Sequence, residues 1–277
     1  MAMSTLCRRV HAGVVTEKAL MSIGVAAGLG PELVAQLAPV IEQAGFHALW
    51  VNDTPGADSL AVLAAAAGAT TRLTLATGVV PLDRRPPAEI ASALDARRLP
   101  QDRLVLGVGS GGTTTGALTL VRDSVAELRG MISARIVVGA LGPKMRRLAV
   151  DASDGVLLSW LTPDAAREQS AEARAAASDA HVALYVRTAL DPATHRRLHV
   201  EKHRYASVPA YAANFARQRA HVDETVLDAG SHPIEDLLGR YRAAVDEVVL
   251  RAITPDDTLA DCLRFVDAAA ELLRSSP

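Results

Sequence analysis

The chain has 277 residues and a formal net charge of -2, and 49% of its residues are hydrophobic. This length suits one α/β barrel domain with a large core, and the charge gives no reason to expect a nucleic-acid partner. Cys7 and Cys262 are the only cysteines, which excludes a disulfide framework and indicates a reducing, cytoplasmic setting. No apolar run reaches the roughly 18 residues of a membrane span, so no membrane partner is expected.

The first 20 residues have a basic pair but no secretory apolar stretch, and we expect them to form an N-terminal extension. Residues 21–277 are predicted to form a single domain. Its predicted strands are 21–27, 46–52, 72–80, 103–109, 136–138, 155–159, 181–188 and 246–253. Helices are predicted between these strands, several of them beginning at a proline or a capping side chain.

Eight strands that alternate with helices predict a (β/α)8 TIM barrel in the α/β class. A doubly wound open sheet is the structural alternative, but the chain lacks the G-x-G-x-x-G sequence after an early strand. Residues 189–245 are too long for one crossover. They are expected to form a helical insertion with two or three helices.

The stretch 135–160 carries the clearest functional pattern. A buried-strand run is followed by the loop GALG at 139–142, and Pro143 then begins a helix. Because small residues leave the first N–H groups of that helix accessible, its N-terminus is a natural phosphate seat. The glycines at 109, 111 and 112, which follow the fourth strand, predict a second backbone-lined loop beside it.

In a barrel of this type, function lies at the C-terminal ends of the strands. Here those ends are rich in glycine, hydroxyl and amide groups and poor in histidine and carboxylate. Such a face suits a large flat ligand with a phosphate group. It offers no H-x-H or H-E-x-x-H spacing, so no metal site is predicted, and it identifies no catalytic residue.

Several fragments in a fixed order resemble the luciferase-like monooxygenase family, in particular its branch of oxidoreductases that depend on coenzyme F420, a deazaflavin. The fragments are EQAGF at 42–46, LWVND at 49–53, AAGATT at 66–71, ATGV at 76–79, RLVLGVG at 103–109, VGALGPKM at 138–145 and DGVL at 154–157. They cover most of residues 21–188. The insertion matches only loosely.

The resemblance implies a luciferase-like barrel with a flavin-type ring in its mouth and a non-prolyl cis peptide, here between Gly78 and Val79, behind the ring. The implied cofactor-binding residues are Asp53, Gly78, Val79, Gly109, Ser110, Gly111, Gly112, Gly139, Ala140, Leu141, Gly142, Pro143 and Lys144. Thr54, Trp160 and Arg187 are expected to line the substrate pocket. The phosphate is expected on the two glycine loops, where the sequence shows no competing carboxylate. A homodimer is the habit of the family.

Two positions depart from the sugar-phosphate dehydrogenases of this branch. Thr54 and Gly112 stand where those enzymes have a histidine and a glutamate, so their acid–base pair and substrate are not transferred. Other site residues have structural alternatives. Asp53 either contacts the cofactor or caps the next loop, Trp160 either stacks on a ligand or plugs the barrel, and Arg187 at a strand end needs an anion as partner.

Three functions remain open from the sequence. The first is hydride transfer between coenzyme F420 and an unidentified small organic substrate. The second is an FMN-dependent monooxygenase with the same phosphate seat. The third is a non-enzymatic protein that binds a flavin or F420. The substrate and the direction of the reaction are not specified by the sequence.

Overall fold

The computed structural model describes residues 19–230 and 233–275, so most of the expected N-terminal extension lies outside the described residues. Eight parallel strands close into a barrel, which confirms the predicted (β/α)8 fold. The barrel strands are β1 (Leu20–Ala26), β2 (Ala48–Asn52), β3 (Thr74–Thr77) with its continuation β4 (Val80–Pro81), β5 (Leu104–Gly109), β6 (Arg135–Gly139), β7 (Gly155–Ser159), β8 (His181–Ala189) and β10 (Glu247–Ala252). Closure occurs where β10 pairs with both β1 and β8.

Helices surround the barrel and follow its strands. Their bounds are α1 (Pro31–Gln43), α2 (Ser59–Ala69), α3 (Pro87–Ala96), α4 (Ala117–Met131), α5 (Pro143–Ala152), α6 (Pro163–Ala176), α7 (His195–Ala206), α8 (Pro209–Gln218), α9 (Ile234–Arg242) and α10 (Leu259–Ser275). Local chemistry sets several N-termini. Asp58 caps α2 by accepting from two backbone N–H groups, and proline occupies the first position of α1, α3, α5 and α6. Among residues 19–230 and 233–275, no helix combines the length and apolarity needed to span a bilayer.

The prediction of one continuous third strand over residues 72–80 was wrong. The structure interrupts it at Gly78 and Val79, whose peptide bond is cis, as the family resemblance implied. Pro81 does not end the pairing, because β4 continues along Val108 and Gly109 of β5. A proline is tolerated there, since it is the last residue of a two-residue strand.

Two apolar clusters lie on opposite faces of the barrel wall. The larger cluster packs the outer faces of the strands against the helices. The smaller cluster fills the interior with inward residues from alternating strand positions, including Trp50, Val137 and Tyr185. The barrel is therefore a packed core, and space for a ligand exists only at its ends.

The end at which the strands begin is closed by a buried polar cluster around Glu247. Its carboxylate accepts from the Ser22 hydroxyl at 2.5 Å and the Trp50 indole at 2.6 Å, and it lies 2.9 Å from His181 Nε2. Burial alone would raise the pKa of Glu247, but His181, Ser22 and Trp50 hold it below its ordinary value. Burial lowers the pKa of the neighbouring His47.

The opposite end carries the helical insertion. Its described part contains α7, α8 and α9, together with the short strand β9 (Val226–Asp228), which was not predicted and pairs with the end of β8. An apolar cluster joins the insertion to the barrel rim; its members include Trp160, Leu198, Phe215 and Ile253. This cluster places α7 and α8 over the C-terminal ends of the strands.

Candidate functional site

The inward residues at the C-terminal ends of the strands form the mouth of the barrel. Because alternate residues of a strand face the same side, the interior residues of each strand identify its top inward residue. These residues are Ala26, Asn52, Gly78, Gly109, Gly139, Ser159, Arg187 and Arg251. They divide the mouth into a small half, built from the three glycines, and a polar half, built from Ser159, Arg187, Arg251 and Asn52, with Ala26 between the last two.

Val79 accounts for two of the glycines in the small half. A Cβ at Gly109 would lie 2.8 Å from Val79 Cγ2, and one at Gly139 would lie 3.0 Å from Val79 Cγ1. The two methyl groups of Val79 thus fill the space that side chains at 109 and 139 would need. Packing against Val79 therefore disfavours a side chain at either position, whatever ligand the mouth holds.

Tyr185 lies directly beneath the small half. Its side chain crosses the interior from β8, and a Cβ at Gly78 would lie 2.5 Å from its hydroxyl oxygen. The hydroxyl is buried and has no hydrogen-bond partner among the described residues. Burial raises its pKa, so it remains a protonated donor. A buried donor without a partner is unusual, and this one points at the floor of the mouth.

The polar half is centred on Asn52 and Arg251. Arg251 Nε donates to Asn52 Oδ1 at 2.8 Å, and the Asn52 amide donates to the carbonyl of Gly78. A second group of the Arg251 guanidinium donates to the carbonyl of Ala252. Asn52 therefore links the guanidinium of β10 to the floor formed by β3.

Arg187 lies beside Arg251 and carries its own counter-ion. Its Nε donates to Glu201 of α7 at 3.1 Å, and one Nη donates to Ser159 at 2.7 Å. Burial alone would raise the pKa of Glu201, but Arg187 and Arg251 hold it below its ordinary value. The anionic partner that the sequence required for Arg187 is thus supplied by the insertion.

Trp160 is fully buried and does not line an open pocket. Its ring lies 4.3 Å from the Arg187 guanidinium and packs against Tyr205 and Phe215. Its carbonyl accepts from two side chains of α8. Of the two predicted roles, plugging the barrel top is the one that this arrangement favours.

Asp53 and Thr54 follow β2, and both make contacts within the loop that leads to α2. The Asp53 carboxylate accepts from the Ser59 hydroxyl at 2.8 Å and lies 3.3 Å from Arg84, so it holds the loop before α2. Thr54 is half-buried and accepts a turn hydrogen bond from Ala57. The capping alternative for Asp53 is the one that its contacts fit.

The loop after β5 is contacted by a carboxylate that the sequence pattern did not predict, that of Asp83, which follows β4. Asp83 Oδ2 accepts from Gly112 N at 2.8 Å, and its Oδ1 lies 1.8 Å from the position of a Cβ at Gly111. The expectation that this loop lacks a competing carboxylate was therefore wrong. Gly111 adopts a positive φ of 61°, and the N–H of the next residue, Gly112, donates to Asp83.

The N-terminus of α5 lies beside positive charge, in contrast to the loop after β5, which lies beside the negative charge of Asp83. Gly142 caps the helix with open space around its Cα, and Pro143 and Lys144 are exposed. The Leu141 carbonyl accepts from Arg146 at 3.2 Å and from Arg217 of α8 at 3.0 Å, so two guanidinium groups converge on this turn.

One of the two guanidinium groups at the α5 N-terminus is free to interact with an anionic ligand. Arg146 is paired with Glu172, whereas Arg217 has no acidic partner within ion-pair distance among the described residues. Partial burial and the nearby Arg146 lower the pKa of Arg217. Ala140 is buried and its N–H is already bonded to Leu157, so the free donors are those of the first turn of α5.

No metal chemistry is visible in the described part of the chain, which brings together no group of three or more His, Cys, Asp or Glu side chains suited to an ion. The residues gathered at the mouth are a flat small half, a cationic helix N-terminus and a polar half with two arginines. Such a set can hold a planar ring with a phosphate and present a second molecule to one edge of it.

Residues 12–118 match the family model described as luciferase-like monooxygenase. The predicted family resemblance is confirmed. A 5,10-methylenetetrahydromethanopterin reductase from Methanolobus tindarius is 28% identical over 165 residues, which are 47% of this chain and 51% of that protein. The chain therefore aligns with about half the length of this curated relative.

Two solved structures illustrate the fold. An F420-dependent secondary alcohol dehydrogenase in complex with an F420-acetone adduct has a TM-score of 0.71 and 15% identity, over 94% of this chain and all of that chain. The oxygenating constituent of a type II Baeyer-Villiger monooxygenase from Pseudomonas putida, in complex with FMN, has a TM-score of 0.60 and 14% identity, over 91% and 97%. At these identities the likeness extends to the fold alone.

Proposed function

We propose that this chain is an oxidoreductase that transfers a hydride between coenzyme F420 and a small organic substrate. The observation that carries the proposal is the meeting, at one barrel mouth, of a floor of small residues and a cationic helix N-terminus. The relatives support an oxidoreductase of the luciferase-like type. The choice of deazaflavin and the residue roles rest on the physical fit described below.

The small half fits a planar ring. At Gly78, Gly109 and Gly139 no side chain projects from the strand, and Val79 offers an apolar surface between them. The unpartnered hydroxyl of Tyr185 lies under this floor and would gain a partner from a polar ring edge. A flat, mostly apolar ligand with polar edges is the chemistry that this cradle accepts.

The phosphate fits the N-terminus of α5. The first-turn N–H groups and the positive end of the helix dipole favour an anion, and Arg146 and Arg217 add charge beside them. We therefore place the phosphate near Gly142 to Lys144. The loop at Gly109 to Gly112 is a poorer seat, since the Asp83 carboxylate already accepts from the Gly112 N–H and repels a second anion.

Charge outside the phosphate seat favours F420 over FMN. FMN ends at its phosphate, whereas F420 continues into an acidic tail of lactate and glutamate units. Arg217 is exposed and lacks an acidic partner in the described residues, so it extends the cationic surface towards solvent. When bound, the deazaflavin supplies the two-electron chemistry, and the chain orients it and covers the mouth with α7 and α8.

The test is an equilibrium fluorescence titration with coenzyme F420 and, separately, with FMN. Wild-type protein is expected to bind F420. Gly142→Asp should weaken that binding at least about tenfold, because it places a like charge beside the phosphate without a steric clash. Gly139→Asp is unsuitable, since its Cβ would collide with Val79.

Gly130→Asp is the matched control. It makes the same substitution at a glycine with open space around it, in the last turn of α4 and away from the mouth. It should bind F420 like wild type. Equal losses in both variants would contradict the phosphate placement. FMN binding without F420 binding would support the monooxygenase alternative, for which the same α5 seat suffices, and binding of neither would support a non-enzymatic role.

A further inference from the structure

Two inward arginines stand side by side in the polar half of the mouth. Arg187 of β8 and Arg251 of β10 are register partners on neighbouring strands, so their side chains enter the mouth from adjacent positions. Within ion-pair distance among the described residues, Arg187 meets Glu201, and Arg251 meets no carboxylate. Its hydrogen bonds go to neutral acceptors, the Asn52 amide and the Ala252 carbonyl.

Two carboxylates feel the charge of Arg251, and each of them is paired with another arginine. Asp257 follows β10 and feels the charge of Arg251, but its oxygens are held by Arg197 at 2.6 Å and by the Thr254 hydroxyl at 2.6 Å. Arg187 with Glu201 and Arg197 with Asp257 form two pairs. Among the residues that the structure describes, Arg251 is thus the arginine of this part of the mouth that has no ion-pair partner of its own.

We propose that Arg251 binds the carboxylate of a small anionic substrate, which makes it a substrate-binding and specificity-determining residue. A half-buried guanidinium without a counter-ion gains more from a carboxylate than a solvated one does. Asn52 fixes its orientation and leaves guanidinium N–H groups for a carboxylate. The class of substrate is thus a small organic carboxylic acid.

Arg251 lies close to the floor of the mouth, so a carboxylate that it binds would position the rest of the molecule there. Asn52 donates to the Gly78 carbonyl and accepts from Arg251, so the guanidinium lies one side chain away from the floor. A carboxylate bound there would hold the rest of a small molecule against the small half. The statement that the bound molecule is a substrate rests on the proposed function, whereas the binding of a carboxylate by Arg251 does not.

A purely structural role for Arg251 predicts something different. If the guanidinium serves only to hold Asn52, its substitution alters stability but does not discriminate between charged and neutral ligands. The probe pair is therefore propionate and propionamide, which have nearly the same shape and differ in charge. Phosphate is not used, because its higher charge favours the α5 N-terminus; the signal of Arg251 itself separates propionate bound here from propionate bound there.

The experiment titrates the full chain, without cofactor, with each probe and follows the arginine Nε–H signals by two-dimensional ¹H–¹⁵N NMR. Propionate should shift the Arg251 signal and bind at least about tenfold more tightly than propionamide. Arg251→Gln should weaken propionate binding about tenfold and leave propionamide unchanged. Arg251→Lys, which keeps the charge, should recover part of the loss.

Arg217→Gln is the matched control, because it removes one guanidinium from the other cationic site. It should not change propionate binding. Loss of binding in Arg217→Gln with none in Arg251→Gln would overturn the proposal, as would equal binding of the two probes. Far-ultraviolet circular dichroism checks that each variant is folded. A chain that fails to bind F420 yet binds propionate through Arg251 would refute the proposed function and leave this inference standing.

Discussion

Gly109→Ala tests whether the glycines of the mouth exist for packing or for a ligand. The added methyl group would lie 2.8 Å from Val79 Cγ2, which is closer than unbonded carbons approach. Val79 cannot simply rotate away. It is β-branched, so few χ1 rotamers are open to it, and a rotation that moves Cγ2 away moves Cγ1 as well.

The expected cost follows from two opposing effects. Forcing one methyl group into a packed site costs about 1–3 kcal/mol. Replacing glycine by alanine also restricts the unfolded chain, which returns about 0.4–1 kcal/mol where the backbone fits. Because Gly109 lies in a strand and has no positive φ, both effects apply. We expect a net loss of about 1–2 kcal/mol in the free energy of unfolding.

Urea unfolding of wild type, Gly109→Ala, Val79→Ala and the double variant measures this as a coupling energy. In the Val79→Ala background the clash is absent, so Gly109→Ala should be neutral or slightly stabilising. Gly142→Ala, which has open space around the new methyl group, should change stability by less than about 0.5 kcal/mol. An equal cost of Gly109→Ala in both backgrounds would refute the packing explanation.

Two further predictions concern charges. Asp83→Asn should raise the affinity for F420 several-fold in the fluorescence titration, because it removes a negative charge from the loop at Gly112; a lower affinity would contradict the repulsion. The free energy of unfolding should fall on acidification. Glu247 has a pKa below its ordinary value of 4.5, and His47 has a pKa below its ordinary value of 6.5. As the pH falls past each ordinary value, the unfolded chain therefore binds more protons than the folded chain. Urea unfolding at pH 7, 6, 5 and 4 measures the decline. His47→Gln should reduce the part of it between pH 7 and 5, and constant stability would contradict the prediction.

The barrel was predictable because its signals are local. Each strand is a short apolar run between turn residues, and prolines or caps mark several helix N-termini. Strand three was the exception, since the interruption at Gly78 and Val79 has no apolar signature. The short strand β9 was missed because three residues within a charged insertion give no periodicity.

The site was less predictable because its contacts join distant parts of the chain. Asp83 meets Gly112, 29 positions away, and Arg217 of the insertion meets Leu141, 76 positions away. No spacing rule relates such residues. Arg251 did have a signal, since it shares the inward face of a predicted strand with Glu247, and a list of inward residues at every strand end would have included it.

The two halves of the mouth come from different stretches of sequence. The small half is drawn from residues 78–139, and three of the four polar residues come from residues 159–251, as do α7 and α8 that cover them. Under the proposed function, a lineage could therefore exchange substrates by changing the later stretch while it inherits the earlier one unaltered. A chimera that joins residues 19–154 to the second half of a relative should keep its cofactor and acquire the relative's substrate.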